Sequence, residues 1–142
     1  MPKARCSDSL LIWNNDFSFN SGLGIGMYRS SHNRIVHNKV DWNVRGYSHR
    51  FYNRGQDSAG ILLFEQCSNN QIAENSATHC GDGLFCFAGQ EALGGVAPPA
   101  ADFGYERRGC NDNTIVGNTV TKNSSGIAIN ASDRNTIDAN TV

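Results

Sequence analysis

Leu, Lys and Glu are scarce in this sequence while Asn and Gly are in surplus. Strong helix formers are therefore few, and helix should not dominate. No apolar run approaches the roughly 20 residues that a membrane span needs. Leu10 to Trp13 is too short, and too soon followed by Asn, to be the apolar stretch of a signal peptide. No membrane partner is expected. The five cysteines include no CxxC pair, which sets aside a zinc knuckle and a thioredoxin-type centre. An excess of charge is missing too. Lys+Arg of 12 against Asp+Glu of 13 leaves a net charge of -1, which offers no general attraction for nucleic acid. At 142 residues and 39% hydrophobic, the chain suffices for one domain.

What the sequence does have is a register. Asn33, Asn70, Asn113 and Asn135 each stand two residues before an isoleucine: Ile35, Ile72, Ile115 and Ile137. Three residues after each Ile comes another Asn (38, 75, 118, 140), and two further on a small or β-branched residue: Val40, Ala77, Val120 or Val142. Ile12, Asn15 and Phe17 repeat these last offsets, and a third series eight residues after Ile reads Asn20, Asn43, Cys80, Asn123. The Ile-to-Ile intervals are 23, 37, 43 and 22 residues, so the base unit is about 22 residues. A glycine-led apolar run precedes four of the copies, beginning at Gly24, Gly60, Gly83 and Gly126. Each unit therefore holds short period-2 strands broken by turns, with no room for a helix.

Units that cannot bury a face alone must stack. Stacking brings equivalent residues about 4.8 Å apart, close enough for identical Asn side chains to hydrogen-bond along the stack. These asparagines are turn and ladder residues, and none is a catalytic candidate. A leucine-rich-repeat horseshoe would want more Leu at fixed spacing. Cys67 and Cys110 occupy the slot of Ser30 and Ser132 and should be neighbours on adjacent coils, within the separation that a disulfide tolerates.

The register G-I-x-I…S-x-x-N-x-I-x-x-N-x-V-x-x-N resembles the right-handed parallel β-helix repeat of pectate-lyase-like proteins. That repeat also occurs in carbohydrate-binding and sugar-hydrolase β-helix domains, mannuronan epimerases and NosD-like periplasmic copper-maturation proteins. The resemblance implies an all-β, single-stranded solenoid of about five coils over residues 1–142. It also implies a secreted or periplasmic full-length protein, and it leaves the activity open, because one stack carries many activities. The sequence stops at Val142, inside a coil, so further coils of the same longer chain are expected partners.

Two intervals exceed the base unit. The excess forms inserts at residues 44–58 and 88–109, where function is expected. They should rise on opposite sides of a sheet whose outward residues include Leu62 and Phe85, making a cleft suited to a linear polymer. The first insert carries Arg45, Arg50 and Arg54 against Asp57, a basic wall that favours an anionic, uronate-containing polysaccharide. Tyr47, Phe51 and Tyr52 offer flat faces for sugar rings. Expected substrate-binding residues are Arg45, Tyr52, Arg54, Leu62, Glu65 and Phe85.

Uronate elimination or epimerisation needs a carboxylate neutraliser, a base and an acid. Arg50 or Arg54 could neutralise, His49 or His79 could be the base, and Tyr47 could be the acid. Glycosidic hydrolysis needs two carboxyl groups facing the bond, and Asp57, Asp82 and Glu65 are candidates. Tyr47-Ser48-His49 is loosely similar to the Tyr, Asp and His cluster of mannuronan epimerases, without the Asp and Pro of that pattern. The paired Asp and the Gly-His-Gly of polygalacturonases are missing. Lyase, epimerase and hydrolase thus stay open, beside a non-catalytic binding or scaffolding module. No cofactor is required. The acidic turns are compatible with bound Ca²⁺, and no dense carboxylate cluster calls for it.

Overall fold

The computed structural model describes residues 1–47, 49–51, 53–87 and 109–142. The strands are β1 (Lys3–Arg5), β2 (Leu11–Trp13), β3 (Leu23–Tyr28), β4 (Arg34–Val36), β5 (Ala59–Phe64), β6 (Gln71–Ala73), β7 (Asp82–Phe87), β8 (Thr114–Val116), β9 (Ser125–Asn130) and β10 (Thr136–Asp138). Odd-numbered strands form one five-stranded sheet, here sheet A, and even-numbered strands form a second, sheet B. All pairings are parallel. Single bridges linking Asp16, Lys39, Ser76, Thr119 and Thr141 make a third face. A chain that visits three faces in turn and then stacks on itself is a parallel β-helix. Among the described residues there is no helix, so none is long and apolar enough to cross a membrane.

The registers are those that the isoleucine spacing requires. Ile12, Ile35, Ile72, Ile115 and Ile137 are partners across sheet B. In sheet A, Ile25, Ile61, Leu84 and Ile127 form one inward row, and Met27, Leu63, Cys86 and Ile129 form another. Strand alternation turns both rows inward with Val40, Ala77 and Val120 from the third face. Each fully buried Ile or Leu contributes about 1.5–3 kcal/mol.

The corner between sheet B and the third face is a tight left-handed turn in every coil. Asn14, His37, Glu74, Gly117 and Ala139 have φ of 56°, 56°, 55°, 66° and 51°. The next residue is always the ladder Asn. Asn75 Nδ2 donates to Ile35 O (2.8 Å) and Asn118 Oδ1 (3.0 Å), while its own Oδ1 accepts from Asn38 N (2.8 Å) and Nδ2 (3.1 Å). Buried backbone groups at the turn are thereby satisfied. The column containing Asn33, Asn70, Asn113 and Asn135 works in the same way. The third series is interrupted where Cys80 stands: its N donates to Asn123 Oδ1 at 2.7 Å and its thiol turns to Val40 O.

Gly24, Gly60 and Gly83 stack beside this third column. A Cβ on Gly60 would sit 2.7 Å from Gly83 O and 2.8 Å from Ala77 Cβ, and one on Gly24 would meet Asn43 Nδ2 and Gly60 O at 2.5 Å. Only glycine allows the coils to approach this closely.

All five cysteines are free thiols. Cys67 and Cys110 are buried in the Ser30–Ser132 column, where Ser30 N donates to Cys67 Sγ and Cys110 N donates to Ser132 Oγ. A hydrogen bond from the Cys110 thiol holds the Cys67 thiol below its ordinary pKa and pushes that of Cys110 up. Burial pushes Cys80 to about 11 and Cys86 to about 12, so both stay protonated and unreactive at neutral pH.

Candidate functional site

The outward face of sheet A carries the groove. Gly26, Leu62, Phe85 and Ala128 pair as one outward row, and Arg5, Tyr28, Phe64, Phe87 and Asn130 as the next. Ring centroids lie 5.6 Å apart for Tyr28–Phe64 and 5.4 Å for both Phe64–Phe87 and Phe85–Phe87. All four rings are half-buried, so the sheet presents an apolar strip running along the stack. At its Tyr28 end the Arg5 and Arg29 guanidinium groups lie 5.2 and 5.0 Å from the ring centroid. Burial, with the Glu65 carboxylate nearby, pushes the Tyr28 hydroxyl above its ordinary pKa.

The other end of the strip opens into a cavity of ≈ 330 Å³ where the feet of the first insert meet the start of β7. Arg45 and Asp57 come from the insert, Asp82 from β7, and Leu62, Phe64, Phe85 and Phe87 from the floor. Arg45 donates from Nη2 to Asp57 O at 3.3 Å, spanning the neck of the loop. The foot is seated on Gly81, where any Cβ would fall onto Ser58 Oγ, Ser58 O and Gly55 O. Asp82 N donates to Ser58 O at 2.8 Å, which fixes the start of β7, with Asp82, beside the insert. The cavity therefore offers a cation, two carboxylates and an apolar floor. Next to it, sharing Leu23, Leu62 and Phe64, a second hollow of ≈ 360 Å³ continues along the strip to Arg5 and Tyr28.

Five of the residues expected to form the site thus converge: Arg45, Asp57, Asp82, Leu62 and Phe85. The others do not line this cavity. Tyr47 and His49 pack edge to face, centroids 5.1 Å apart, in the exposed part of the insert, with Arg50 and Phe51 exposed beside them. His79 and Arg54 line a different hollow, at the corner between the third face and sheet A. Tyr52, and the second insert apart from Gly109, lie outside the described residues.

Glu65 is bonded to Arg29 through Nε (3.0 Å) and Nη2 (2.8 Å), with both side chains mostly buried. It tethers two coils beside Tyr28. Glu65→Gln should cost about 1.5–3 kcal/mol of stability, the typical worth of a charged hydrogen bond, and denaturant midpoints of the two proteins measure it. Tyr28, Phe64 and Phe87 were missed as floor residues. Their signal was the second outward position of each glycine-led run, two residues after Gly26, Leu62 and Phe85.

The sequence pattern of the right handed beta helix region matches residues 3–142. This chain belongs to the right-handed β-helix family. The β-helix is similar to the crystal structure of the periplasmic alginate epimerase AlgG. The TM-score is 0.64 at 17% identity, covering 98% of this chain. The β-helix spans 33% of the length of that structure, and at this identity the likeness is one of fold. No curated protein matches the sequence.

Proposed function

We propose that this β-helix holds an acidic, uronate-containing glycan along the outer face of sheet A and cleaves or modifies it where Arg45, Asp57 and Asp82 border the apolar floor. The observation that carries the reading is the meeting of one cation, two carboxylates and that floor in one groove. Pyranose rings have C–H faces that pack on apolar and aromatic surface. A uronate carboxylate pairs with a guanidinium in a two-pronged hydrogen bond. Asp57 and Asp82 are the groups available to move a proton at the sugar, or to face a glycosidic bond from two sides. The similarly folded alginate epimerase agrees with the polysaccharide part of this reading. Such polymers lie outside the cytoplasm, and we take the protein to be secreted or periplasmic.

A panel of polyuronates and neutral glycans tests this reading, scanned for new reducing ends, for the ultraviolet absorbance of an unsaturated uronate and for a changed epimer ratio. Product is expected from a polyuronate only. Asp57→Asn and Asp82→Asn should each cut turnover by about 100-fold or more, the usual contribution of a general acid or base, while binding holds. The chemistry needs no cofactor, and equal rates with and without EDTA are expected. One observation favours a second reading, a binding or scaffolding module: no His, Lys or Tyr lines the cavity among the described residues. In that case the panel yields binding without product.

A further inference from the structure

We infer that the corner hollow under the first insert is a second saccharide site, separate from the sheet A groove, that takes one sugar acid through its carboxylate and its ring. Phe19, Trp42, His79 and Lys122 hold the same left-handed corner position on successive coils, with φ of 63°, 60°, 57° and 60°. The repeat therefore stacks their side chains in a column at the edge of the third face. Trp42 and His79 lie ring on ring, centroids 4.0 Å apart and planes within 7°. His79 Nδ1 is 3.1 Å from Thr78 Oγ1, which fixes the ring orientation. The column then passes from aromatic to cationic at Lys122.

Arg54 of the insert faces this end of the column and closes a hollow of ≈ 310 Å³ with Trp42, Val44, His79, Lys122 and Ser124. That volume suits a single sugar rather than a length of polymer. Arg54 and Lys122 are both exposed, and among the described residues no carboxylate lines the hollow. Asp41, which lies close enough to Cys80 to be felt by its thiol, lines the neighbouring hollow, where its Oδ1 accepts from Ser76 Oγ (2.6 Å) and Thr78 N (2.9 Å). Two cations without a counter-charge select an anion. Trp42, one face of which is covered by His79, and Val44 supply the apolar part of the wall beside Cys80 and Asn123, and a bare inorganic anion would leave that part unused. A ring with a C–H face, hydroxyl groups and one carboxylate uses both halves and reaches Ser124 as well.

The insert thus serves two sites, giving Arg45 and Asp57 to the groove on one side and Arg54 to the corner on the other. Occupancy of the corner does not depend on the groove reading, because the probe is a monosaccharide and the reporter is in the corner itself. The sequence has two tryptophans, so Trp13→Phe leaves Trp42 as the sole indole. Titrating this protein with sodium glucuronate should give a saturable change in Trp42 emission. Glucose at equal concentration should give none, and sodium sulfate should bind more weakly. Arg54→Ala and Lys122→Ala should each weaken the response by about threefold, as expected for exposed charge pairs, and the double variant by about tenfold. Leu62→Ser, on the groove floor, should leave it unchanged. The inference is overturned if glucuronate gives no response, if the two cation variants respond like the parent, if sulfate matches glucuronate, or if Leu62→Ser abolishes the signal.

Discussion

Asn75→Ala should lower the stability of this β-helix by about 4 kcal/mol, since each buried group left without a partner costs about 1–3 kcal/mol. Two groups lose their side-chain partner, Asn38 N and Ile35 O, whereas Asn118 Oδ1 keeps the backbone N of residue 75 and Asn38 Nδ2 keeps Ile12 O and Val36 O. Asn75, Asn38 and Asn118 are all at most 2% exposed, so water cannot replace the lost amide. Asn140 occupies the same slot but is itself only half-buried, so truncating it lets water into the space its amide leaves, against Asn118 N and Nδ2 and Ile115 O. Asn140→Ala should therefore cost less than half as much. Urea midpoints of the two variants against the parent give the comparison. Equal losses would mean that the column is held by the turn geometry rather than by the amides.

Gly60→Ala should cost at least about 3 kcal/mol, at the upper end of what overpacking does. The added methyl would meet Gly83 O at 2.7 Å and Ala77 Cβ at 2.8 Å, and neither neighbour is the tip of a flexible side chain. Relief requires the two coils to separate, which weakens the parallel pairing of β5 with β7. Gly26→Ala is the control. It stands two residues further along in β3, on the outward row, and its Cβ would meet only Leu23 Cδ1 at 3.4 Å. A near-neutral Gly26→Ala beside a strongly destabilised Gly60→Ala would locate the restriction in the coil-to-coil contact rather than in glycine's backbone freedom.

The fold was legible because the repeat constrains every coil at once. An isoleucine, an asparagine three residues on and an apolar residue two beyond that fix a corner, a buried amide and an inward side chain, and a slip by one residue would put Ile72 or Ile115 in water. The site was legible only where it borrows that register. Leu62 and Phe85 follow from alternation, and Asp82 from the start of a glycine-led strand. Arg45 and Asp57 stand at the feet of the insert, close to residues the repeat places. Tyr47, His49 and Arg50 belong to the span of the insert, which has no partner coil to set its direction, so residue type alone suggested a role. His79 and Asp82 are close in sequence yet face different hollows, because His79 is the corner residue (φ 57°) and Gly81 intervenes before the strand. Glu65 read as a strand-end carboxylate near the cleft. Its partner Arg29 lies 36 residues earlier, one coil away, and only the stacked structure pairs them.

The proposed function stands or falls on which polymer the groove selects and on whether charge drives the selection. Calorimetric titration with an oligouronate and with a neutral oligomer of the same length, at low salt and at about 0.5 M salt, measures both. The reading predicts tighter binding of the oligouronate at low salt. It also predicts a clear loss of that preference at high salt, where the screening length shrinks from about 10 Å at 0.1 M towards about 3 Å at 1 M. In Phe64→Ser, which breaches the floor, both oligomers should bind several-fold more weakly at either salt. Equal affinity for the two oligomers at low salt, or binding that Phe64→Ser does not change, would contradict it.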